Sequence, residues 1–356
     1  MQMGILGLPK AGKTTLFNLL TASTESTDKF TQSKGAHLGL ARVPDPRLVR
    51  LRELFEPQRY VPATVEFVDV PGMQRGQGSD NLDLAKLREV DALVHVVRCF
   101  EDDELPHPDG AVDPARDVAN VDLELILADL ELVERRLERL VQSAKRGLKP
   151  EEKRERDLLR DLVLPALEDE RALRAVEIAD DDEKLLRGFQ LLSAKPMLLV
   201  LNVAEDALGA SAEALLGTAP SVGVGVVVMS APIEQEIAQL PGEEAAEFLG
   251  DLGLSEPSID RVIRASYQLL KQIAFFTVGE DEVRAWTIRR ATRAREAAGA
   301  IHSDIERGFI RAEVVGCELL LERGSLAACR DQGELRLEGK EYLVQDGEVV
   351  HFRFNV

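Results

Sequence analysis

The segment with the clearest chemical potential lies near the start of the chain, at Gly7-Leu8-Pro9-Lys10-Ala11-Gly12-Lys13-Thr14. It fits the pattern G-x-x-x-x-G-K-[ST], whose glycines let main-chain N–H groups surround phosphate oxygens. Lys13 would place its charge on the β- and γ-phosphates as a catalytic residue, and the Thr14 hydroxyl would bind Mg²⁺. The pattern therefore predicts a site for ATP or GTP. The expected contacts from this segment are Pro9, Lys10, Ala11, Gly12, Lys13, Thr14 and Thr15.

A second motif, Asp69-Val70-Pro71-Gly72, follows the apolar stretch that begins at Val65. It matches the D-x-x-G pattern of nucleotide-dependent switches. Asp69 is expected to hold Mg²⁺ through a water molecule, and the Gly72 N–H to sense the γ-phosphate, which makes Gly72 a second catalytic candidate. Because the motif follows a predicted strand downstream of the phosphate loop, it indicates a triphosphatase rather than an ordinary turn.

A third element, Asn202-Val203-Ala204-Glu205, directly follows an apolar run, where switch GTPases carry N-K-x-D. In that motif the aspartate accepts two hydrogen bonds from guanine. Glu205 is one methylene longer and Val203 replaces the lysine, so the sequence favours adenine, whose amino group and ring nitrogens the Asn202 amide could satisfy. Ser230-Ala231, after the next predicted strand, resembles the S-A-x loop that closes over the base.

These motifs need a sheet to hold them in place, and the apolar runs supply one. Short apolar runs alternate with amphipathic stretches, which predicts parallel strands joined by crossover helices. The predicted strands are Met3 to Leu6, Val65 to Val70, Ala92 to Val97, Pro196 to Leu201 and Val224 to Met229, with a helix beginning at Thr14.

The pattern changes after Asp109, where a helical segment interrupts the predicted sheet. Its apolar residues alternate four and three apart, as in a coiled coil. They are Ile126, Leu130, Val133, Leu137 and Leu140. Gly147 and Pro150 break the helix, and a second helix is expected from about Glu151 to Leu167. The sequence thus predicts an inserted helical hairpin, acting either as a packing arm or as a docking arm for a large partner.

From about Thr277 short alternating strands indicate a small α+β domain. Its last part reads as a hairpin, with strands at 341–344 and 349–352 joined by a turn at Gln345-Asp346-Gly347. We therefore predict three domains. Residues 1–108 and 193–275 form the nucleotide domain, residues 109–192 the helical hairpin and residues 276–356 the C-terminal domain.

Composition limits the function classes. The formal net charge is −19, which argues against non-specific nucleic-acid binding through the whole surface. No apolar run reaches the roughly 20 residues of a membrane span, and the N-terminus lacks the pattern of a signal peptide. Three cysteines without C-x-x-C spacing favour a reducing cytoplasm over a disulfide framework. We expect a cytoplasmic protein with no membrane partner.

At nearly full length the chain resembles the Obg-like ATPase (YchF) family of P-loop proteins. The matching segments are Thr15-Leu16-Phe17-Asn18, Val43-Pro44-Asp45-Pro46-Arg47-Leu48, Pro57-Gln58-Arg59, Glu66-Phe67-Val68-Asp69, Arg88-Glu89-Val90-Asp91-Ala92, Val97-Arg98-Cys99-Phe100, Val283-Arg284-Ala285-Trp286-Thr287-Ile288, Gly308-Phe309-Ile310-Arg311-Ala312 and Phe354-Asn355-Val356. The resemblance implies a Ras-like α/β domain, an inserted helical arm and a C-terminal TGS domain. It also implies a preference for ATP through Asn202 and Glu205. A ribosomal partner is implied too, with RNA contact through the arm and the TGS-like domain.

The chain departs from the family pattern at several positions. Lys10-Ala11 stands where the family usually has Asn-Val, and Thr14 stands for Ser with its hydroxyl kept. Met73 follows Gly72 where many GTPases have a water-orienting glutamine, so slow intrinsic hydrolysis is expected. In the first switch segment, alignment back from Pro44 makes Ser33 the Mg²⁺ ligand, whereas the local Phe-Thr pair favours Thr31.

The leading hypothesis is a Mg²⁺-dependent ATPase with slow turnover that acts as a conformational switch on a large partner such as the ribosome. One alternative is a GTPase of the same fold. The other is a nucleotide-gated binding module whose hydrolysis is incidental, for which Met73 argues.

Overall fold

The computed structural model describes residues 1–22, 37–70, 82–145 and 147–355. Contacts between Cα atoms divide the chain into two compact units. The first comprises Met1–Gly39 and Glu66–Val262, and the second comprises Leu40–Val65 and Ile263–Val356. This division keeps the helical arm in the first unit and assigns residues 40–65 and 263–275 to the second. The three-domain boundaries therefore stay a prediction. The switch candidates Thr31, Ser33 and Gly72, together with Met73, lie outside the described residues.

The first unit is built on a twisted sheet with the strand order β2-β4-β1-β5-β6-β7. The strands are β1 (Gln2–Leu6), β2 (His37–Arg42), β4 (Thr64–Asp69), β5 (Ala92–Cys99), β6 (Met197–Val203) and β7 (Val224–Met229). The pairs β4/β1, β1/β5, β5/β6 and β6/β7 are all parallel. Every residue of β6 is buried, as expected for a strand covered on both faces.

Helices connect these strands and cover the sheet. In the first unit they are α1 (Lys13–Ala22), α3 (Leu82–Glu89), α4 (Pro114–Ala144), α5 (Pro150–Leu158), α6 (Leu164–Glu168), α7 (Asp180–Leu186), α8 (Ala212–Leu216), α9 (Ala231–Ile237) and α10 (Gly242–Asp251). Another helix, α11 (Ser258–Leu269), begins in the first unit and ends in the second. Within the described ranges, no helix combines the length and the apolar character that crossing a membrane would need.

The helical arm is inserted between two neighbouring strands of the sheet, as predicted. β5 and β6 pair directly, although the whole arm separates them in sequence. Helix α4 begins earlier than its apolar seam, because the Asp113 side chain accepts a hydrogen bond from Arg116 N and Pro114 occupies the first turn. The described hairpin confirms the predicted inserted arm.

The predicted seam of the arm forms its core. Ile126, Val133 and Leu140 are buried and belong to the same apolar cluster as Leu159 and Val163 from the returning segment. The return is a helix with one π-type turn at Leu159–Val163, where Leu164 N donates to Leu159 O. Since Pro165 has no N–H, the regular ladder of the helix is interrupted at this point.

The second unit contains a mixed sheet with the order β11-β10-β12-β8-β9-β3. Its strands are β3 (Arg59–Val61), β8 (Gln272–Thr277), β9 (Glu282–Arg289), β10 (Phe309–Gly316), β11 (Arg336–Glu338) and β12 (Glu348–Phe354), and its helices are α2 (Pro46–Phe55), α12 (Ala294–Ile301), α13 (Ser303–Arg307), α14 (Cys317–Arg323) and α15 (Leu326–Asp331). β3 pairs in parallel with β9, so residues from the first fifth of the chain complete this sheet.

The predicted hairpin at 341–352 is wrong. β12 pairs with β10 and β8, whereas Leu343 bridges Arg293 and Val344 N donates to Thr292 O at 3.1 Å. The turn itself is present, with Gly347 at φ +80°. Its side chains form long-range bonds, because Asp346 accepts hydrogen bonds from Ala274 N (2.9 Å) and from Arg47 Nη1 (2.8 Å). The main chain of the segment before the turn is bonded to residues 292–294 instead of β12, since Ala294 N also donates to Tyr342 O at 2.7 Å.

Candidate nucleotide site

The phosphate loop lies between β1 and α1, the context that the motif requires. Gly7 and Gly12 have φ values of +145° and +101°, which residues with a Cβ rarely adopt. A Cβ at Gly7 would lie 2.4 Å from Val96 O, and one at Gly12 would lie 2.6 Å from Asn202 Nδ2. The two glycines therefore permit both the curl of the loop and its close approach to β5 and β6.

Lys13 lies across the mouth of this loop. Its Nζ donates hydrogen bonds to Leu8 O (2.7 Å) and Gly7 O (3.1 Å), and the residue is only 9% exposed. Burial lowers the pKa of Lys13, and the nearby Asp69 carboxylate partly offsets this effect. Burial also raises the pKa of Asp69, with Lys13 acting in the opposite direction. The two charges thus lie in a partly desolvated environment, where an ammonium group interacts strongly with phosphate oxygens.

His95 of β5 lies beneath the phosphate loop, next to Leu6 in the register of the sheet. A Cβ at Gly7 would lie 3.5 Å from His95 Cδ2. The imidazole is 1% exposed, and its Nδ1 has no hydrogen-bond partner among the described residues. Burial, reinforced by the positive charges of Lys13 and Arg174, lowers the pKa of His95 to about 3. The ring is therefore neutral under physiological conditions.

Asn202 joins the phosphate loop to the segment after β7. Its Nδ2 donates to Ala11 O (3.1 Å) and its Oδ1 accepts from Ala231 N (3.0 Å). The side chain is 3% exposed, so both bonds form away from water. One Nδ2 hydrogen and one Oδ1 lone pair remain beyond these bonds. The structure therefore gives Asn202 a bracing role, and its contact with the base stays a prediction.

A cavity of about 640 Å³ extends from the phosphate loop to the ends of β5, β6 and β7. Its lining comprises Lys10, Gly12, Lys13, Thr14, Thr15, Phe100, Glu101, Asp102, Leu105, Asn202, Val203, Ala204, Glu205, Ser230, Ala231, Pro232, Ile233, Gln235 and Glu236. Such a crevice at the carboxyl ends of parallel strands is the usual ligand position in open α/β sheets. The three sequence segments predicted to bind phosphate and base thus meet in one cavity.

The residues predicted to contact the base differ in their surroundings. Val203 is buried at the end of β6, whereas Glu205 is exposed at the start of a short 3₁₀ turn, Glu205–Ala207. Ser230 is 1% exposed, and its Oγ has no hydrogen-bond partner among the described residues. Ser230 belongs to the cavity lining, but its Oγ is buried.

Some predicted contacts do not line the cavity. Pro9, Ala11 and Asp69 are absent from its described lining, although the Ala11 carbonyl supports it through Asn202. Conversely, sequence reasoning missed the segment from Phe100 to Leu105 and the residues that follow Ala231. The segment from Phe100 to Leu105 could have been predicted from the sequence. Phe100 directly follows the strand β5, and ligands usually bind at the carboxyl ends of such strands.

Two of the four predicted Mg²⁺ ligands, Thr14 and Asp69, lie among the described residues. Thr14 is exposed and lines the cavity, and Asp69 ends β4 beside β1, paired with Ile5 in the register. A hydroxyl and a carboxylate belong to the oxygen ligands that this cation prefers. Among the described residues no group of three His, Cys, Asp or Glu side chains forms a separate metal cluster.

The glycine loop, the buried lysine at the start of α1 and the crevice above a parallel sheet define the class of P-loop nucleoside triphosphatases. Family models match both ends of the chain. Residues 2–130 match the family described as 50S ribosome-binding GTPase, and residues 272–355 match YchF-GTPase_C, described as a protein of unknown function.

Similar proteins of known family narrow the assignment within the P-loop nucleoside triphosphatases. The chain is 45% identical over 363 residues to the ribosome-binding ATPase YchF of Bacillus subtilis, with 99% of both chains covered. It is 36% identical over 369 residues to Obg-like ATPase 1 of Oryza sativa, covering 100% of this chain and 92% of the relative. The solved structure of the Schizosaccharomyces pombe YchF GTPase matches with a TM-score of 0.88 at 31% identity, covering 99% of this chain and 97% of that one.

The chain belongs to the YchF family of P-loop proteins. The predicted fold class is thereby confirmed, namely a Ras-like P-loop domain with an inserted helical arm and a C-terminal α+β part.

Proposed function

We propose that this protein is a Mg²⁺-dependent ATPase with slow intrinsic turnover that acts as a conformational switch in a ribosome-linked role. The observation that carries this proposal is the single cavity shared by Lys13 and the Asn202–Glu205 segment. A triphosphate beside Lys13 and a base beside Glu205 fit one molecule of nucleotide. The name of the Bacillus subtilis relative, a ribosome-binding ATPase, agrees with this assignment.

In the proposed reaction, water attacks the γ-phosphate in line with the bond to the leaving ADP. Lys13 and the N–H groups of the phosphate loop stabilise the charge that develops on the phosphate oxygens. Bound Mg²⁺ would supply further charge neutralisation, with Thr14 and Asp69 among its ligands. Thr31 or Ser33 would complete the metal site, and Gly72 would sense the γ-phosphate. Because Met73 is apolar, it cannot orient the attacking water, which supports slow intrinsic hydrolysis.

The preference for ATP rests on how the base end of the cavity is built. Asn202 already uses one donor and one acceptor in its bonds to Ala11 and Ala231, so we expect base selection to depend largely on Glu205. GTP remains the second candidate, because an exposed Glu205 carboxylate can accept hydrogen bonds from guanine. The Schizosaccharomyces pombe relative is described as a GTPase.

A competition titration tests the nucleotide assignment. Wild-type protein with Mg²⁺ and a fluorescent ATP analogue is titrated with unlabelled ATP and, separately, with GTP. The proposal predicts displacement by ATP at concentrations at least about tenfold lower than by GTP, equivalent to roughly 1.4 kcal/mol. Equal displacement or a preference for GTP would overturn the ATP assignment while leaving a triphosphatase.

The ribosome link is proposed from the relatives' names together with the helical arm. The arm and the C-terminal unit are the proposed contacts with ribosomal RNA or protein, and such a partner places the molecule in the cytoplasm. Co-sedimentation with ribosomes in ATP, in ADP and without nucleotide tests the switch. Sedimentation that responds to nucleotide supports it, and an identical result in all three conditions contradicts both the switch and the nucleotide-gated binding module.

A further inference from the structure

Arg98 is a charged residue buried inside the sheet of the first unit. It lies on β5, beside Asn202 of β6 in the register, and only 2% of the residue is exposed. A guanidinium group carries five N–H donors, and leaving them unpaired away from water is unfavourable. The groups that this side chain contacts therefore indicate why a charge is present at this position.

The Arg98 guanidinium holds both ends of one short segment. Its Nε donates to Phe100 O at 3.0 Å, and its Nη1 donates to Leu105 O at 2.7 Å. The Cζ atom also lies 4.7 Å from the centroid of the Phe100 ring, within the range of a cation–π contact. The hydrogen-bond acceptors are main-chain carbonyls, so the charge secures the path of the chain rather than neutralising an acid.

The segment between these two carbonyls forms part of the cavity wall. Phe100, Glu101, Asp102 and Leu105 all line the cavity. Internally the segment is a tight turn, in which Glu104 N donates to Asp102 Oδ1 at 2.9 Å and Leu105 N to Asp102 O at 3.2 Å. It belongs neither to a strand nor to a helix, so ladder hydrogen bonds do not fix its position. Arg98 supplies that attachment.

We infer that Arg98 is a positioning residue that sets the wall facing the nucleoside half of the bound nucleotide. The inference rests on the proposed function, since it takes Lys13 as the phosphate end and Glu205 as the base end of the cavity. The apolar surfaces of Phe100 and Leu105 suit the face of a base or the edge of a ribose. The phosphate loop makes none of the contacts through which Arg98 acts.

The test compares ATP with inorganic tripolyphosphate, which has the phosphate chain but no nucleoside. Arg98→Met keeps most of the side-chain volume and removes the donors. We expect it to weaken ATP binding by about tenfold or more while changing tripolyphosphate binding by less than about threefold. Arg174→Met is the matched control. The Arg174 side chain is also buried and also donates to a main-chain carbonyl, Lys195 O at 3.1 Å, but neither Lys195 nor its carboxylate partner Asp122 belongs to the cavity wall.

A second measurement needs no nucleotide, and it separates this inference from the proposed function. In nucleotide-free Arg98→Met, the amides of Glu104 and Leu105 should exchange with solvent about tenfold faster than in wild type, while those of β6 stay unchanged. Arg98→Lys keeps the charge but cannot span both carbonyls, so its exchange rates and ATP affinity should be intermediate. Arg98→Lys also provides the test if Arg98→Met does not fold.

Three results would overturn the inference. They are wild-type exchange at Glu104 and Leu105 in both folded variants, wild-type ATP affinity in Arg98→Met, or an equal loss of ATP and tripolyphosphate binding. If wild-type protein binds neither ATP nor GTP, the proposed function fails. Faster exchange in the variants would still show that Arg98 positions this wall.

Discussion

The two ends of the nucleotide cavity are built in different ways. The phosphate end comes from one continuous segment between β1 and α1, whose shape follows from two glycines and whose lysine bonds to its own loop. The base end is assembled from the ends of β5, β6 and β7, which are far apart in sequence. The buried Asn202 links the phosphate loop to the segment after β7, and the buried Arg98 fixes the segment after β5.

This difference explains which properties one residue can control. In a loop formed by one continuous segment, the side chains of the motif themselves interact with the ligand. Replacing one of them therefore removes one defined interaction. A composite wall depends on side chains that hold its segments in place, so changing those side chains should alter affinity and selectivity without removing a catalytic group. The following predictions test this contrast.

Loss of Lys13 should have the largest effect. Lys13→Ala removes the ammonium group at the phosphate end, and we expect kcat/KM for triphosphate hydrolysis to fall about 100- to 1,000-fold. Single-turnover hydrolysis with Mg²⁺ measures it. Lys153→Ala, at an exposed position of α5, serves as the control and should behave as wild type. Unchanged kinetics in Lys13→Ala would contradict the assignment of Lys13 and its loop as the triphosphate site.

Loss of the Asn202 brace should affect both ends together. Asn202→Ala removes the bonds to Ala11 and Ala231, and we expect ATP and tripolyphosphate affinities to fall by similar factors of about 10 to 100. Asn202→Asp keeps the acceptor for Ala231 N but cannot donate to Ala11 O, so its effect should resemble that of Asn202→Ala at the phosphate end. A loss confined to ATP would show that Asn202 serves only the base end.

Acid should destabilise the fold through the histidine beneath the phosphate loop. The pKa of His95 is lowered to about 3 in the folded protein, so the unfolded chain binds a proton first as the pH falls below about 6.5. Stability is therefore lost between pH 6.5 and 3, with the free energy of unfolding falling by about 2 kcal/mol between pH 7 and pH 5. Urea denaturation of wild type and His95→Phe measures the difference.

The His95→Phe variant should lack the loss of stability that protonation of His95 causes. His351→Gln, at an exposed position of β12, controls for general effects of losing a histidine. If wild type and His95→Phe lose stability in parallel on acidification, the neutral buried imidazole is not the cause.

The smallest expected effect is on the choice between GTP and ATP, and it depends on the length of the Glu205 side chain. Glu205→Asp shortens the carboxylate by a methylene and restores the residue that guanine-specific sites use. We expect the ratio of GTP to ATP affinity to rise about fivefold, because one better-placed hydrogen bond contributes about 1 kcal/mol. Glu236→Asp, another carboxylate of the lining, is the control. An unchanged ratio would mean that Glu205 does not face the base.

Sequence reasoning succeeded where structure is local. The phosphate loop, the buried strands and the arm seam each follow from a short pattern, and the fold contains all three. It failed where distant segments meet. No periodicity in the sequence shows that Arg98 reaches Leu105, or that Val344 bonds Thr292 where a hairpin was predicted. The base-side wall and the second unit depend on such contacts.

The strand β3 has a consequence for synthesis of the chain. Arg59–Val61 pairs with β9, which leaves the ribosome only about 220 residues later, roughly 10–40 s at ordinary elongation rates. Arg47 lies in the same early stretch, and its ion-pair partner Asp346 is synthesised later still. During that interval Arg59–Val61 has no native partner strand, although β2 and β4 on either side of it can already join the sheet of the first unit. Premature termination before β9 would therefore leave this early segment permanently without its partner strand, a natural target for proteolytic quality control.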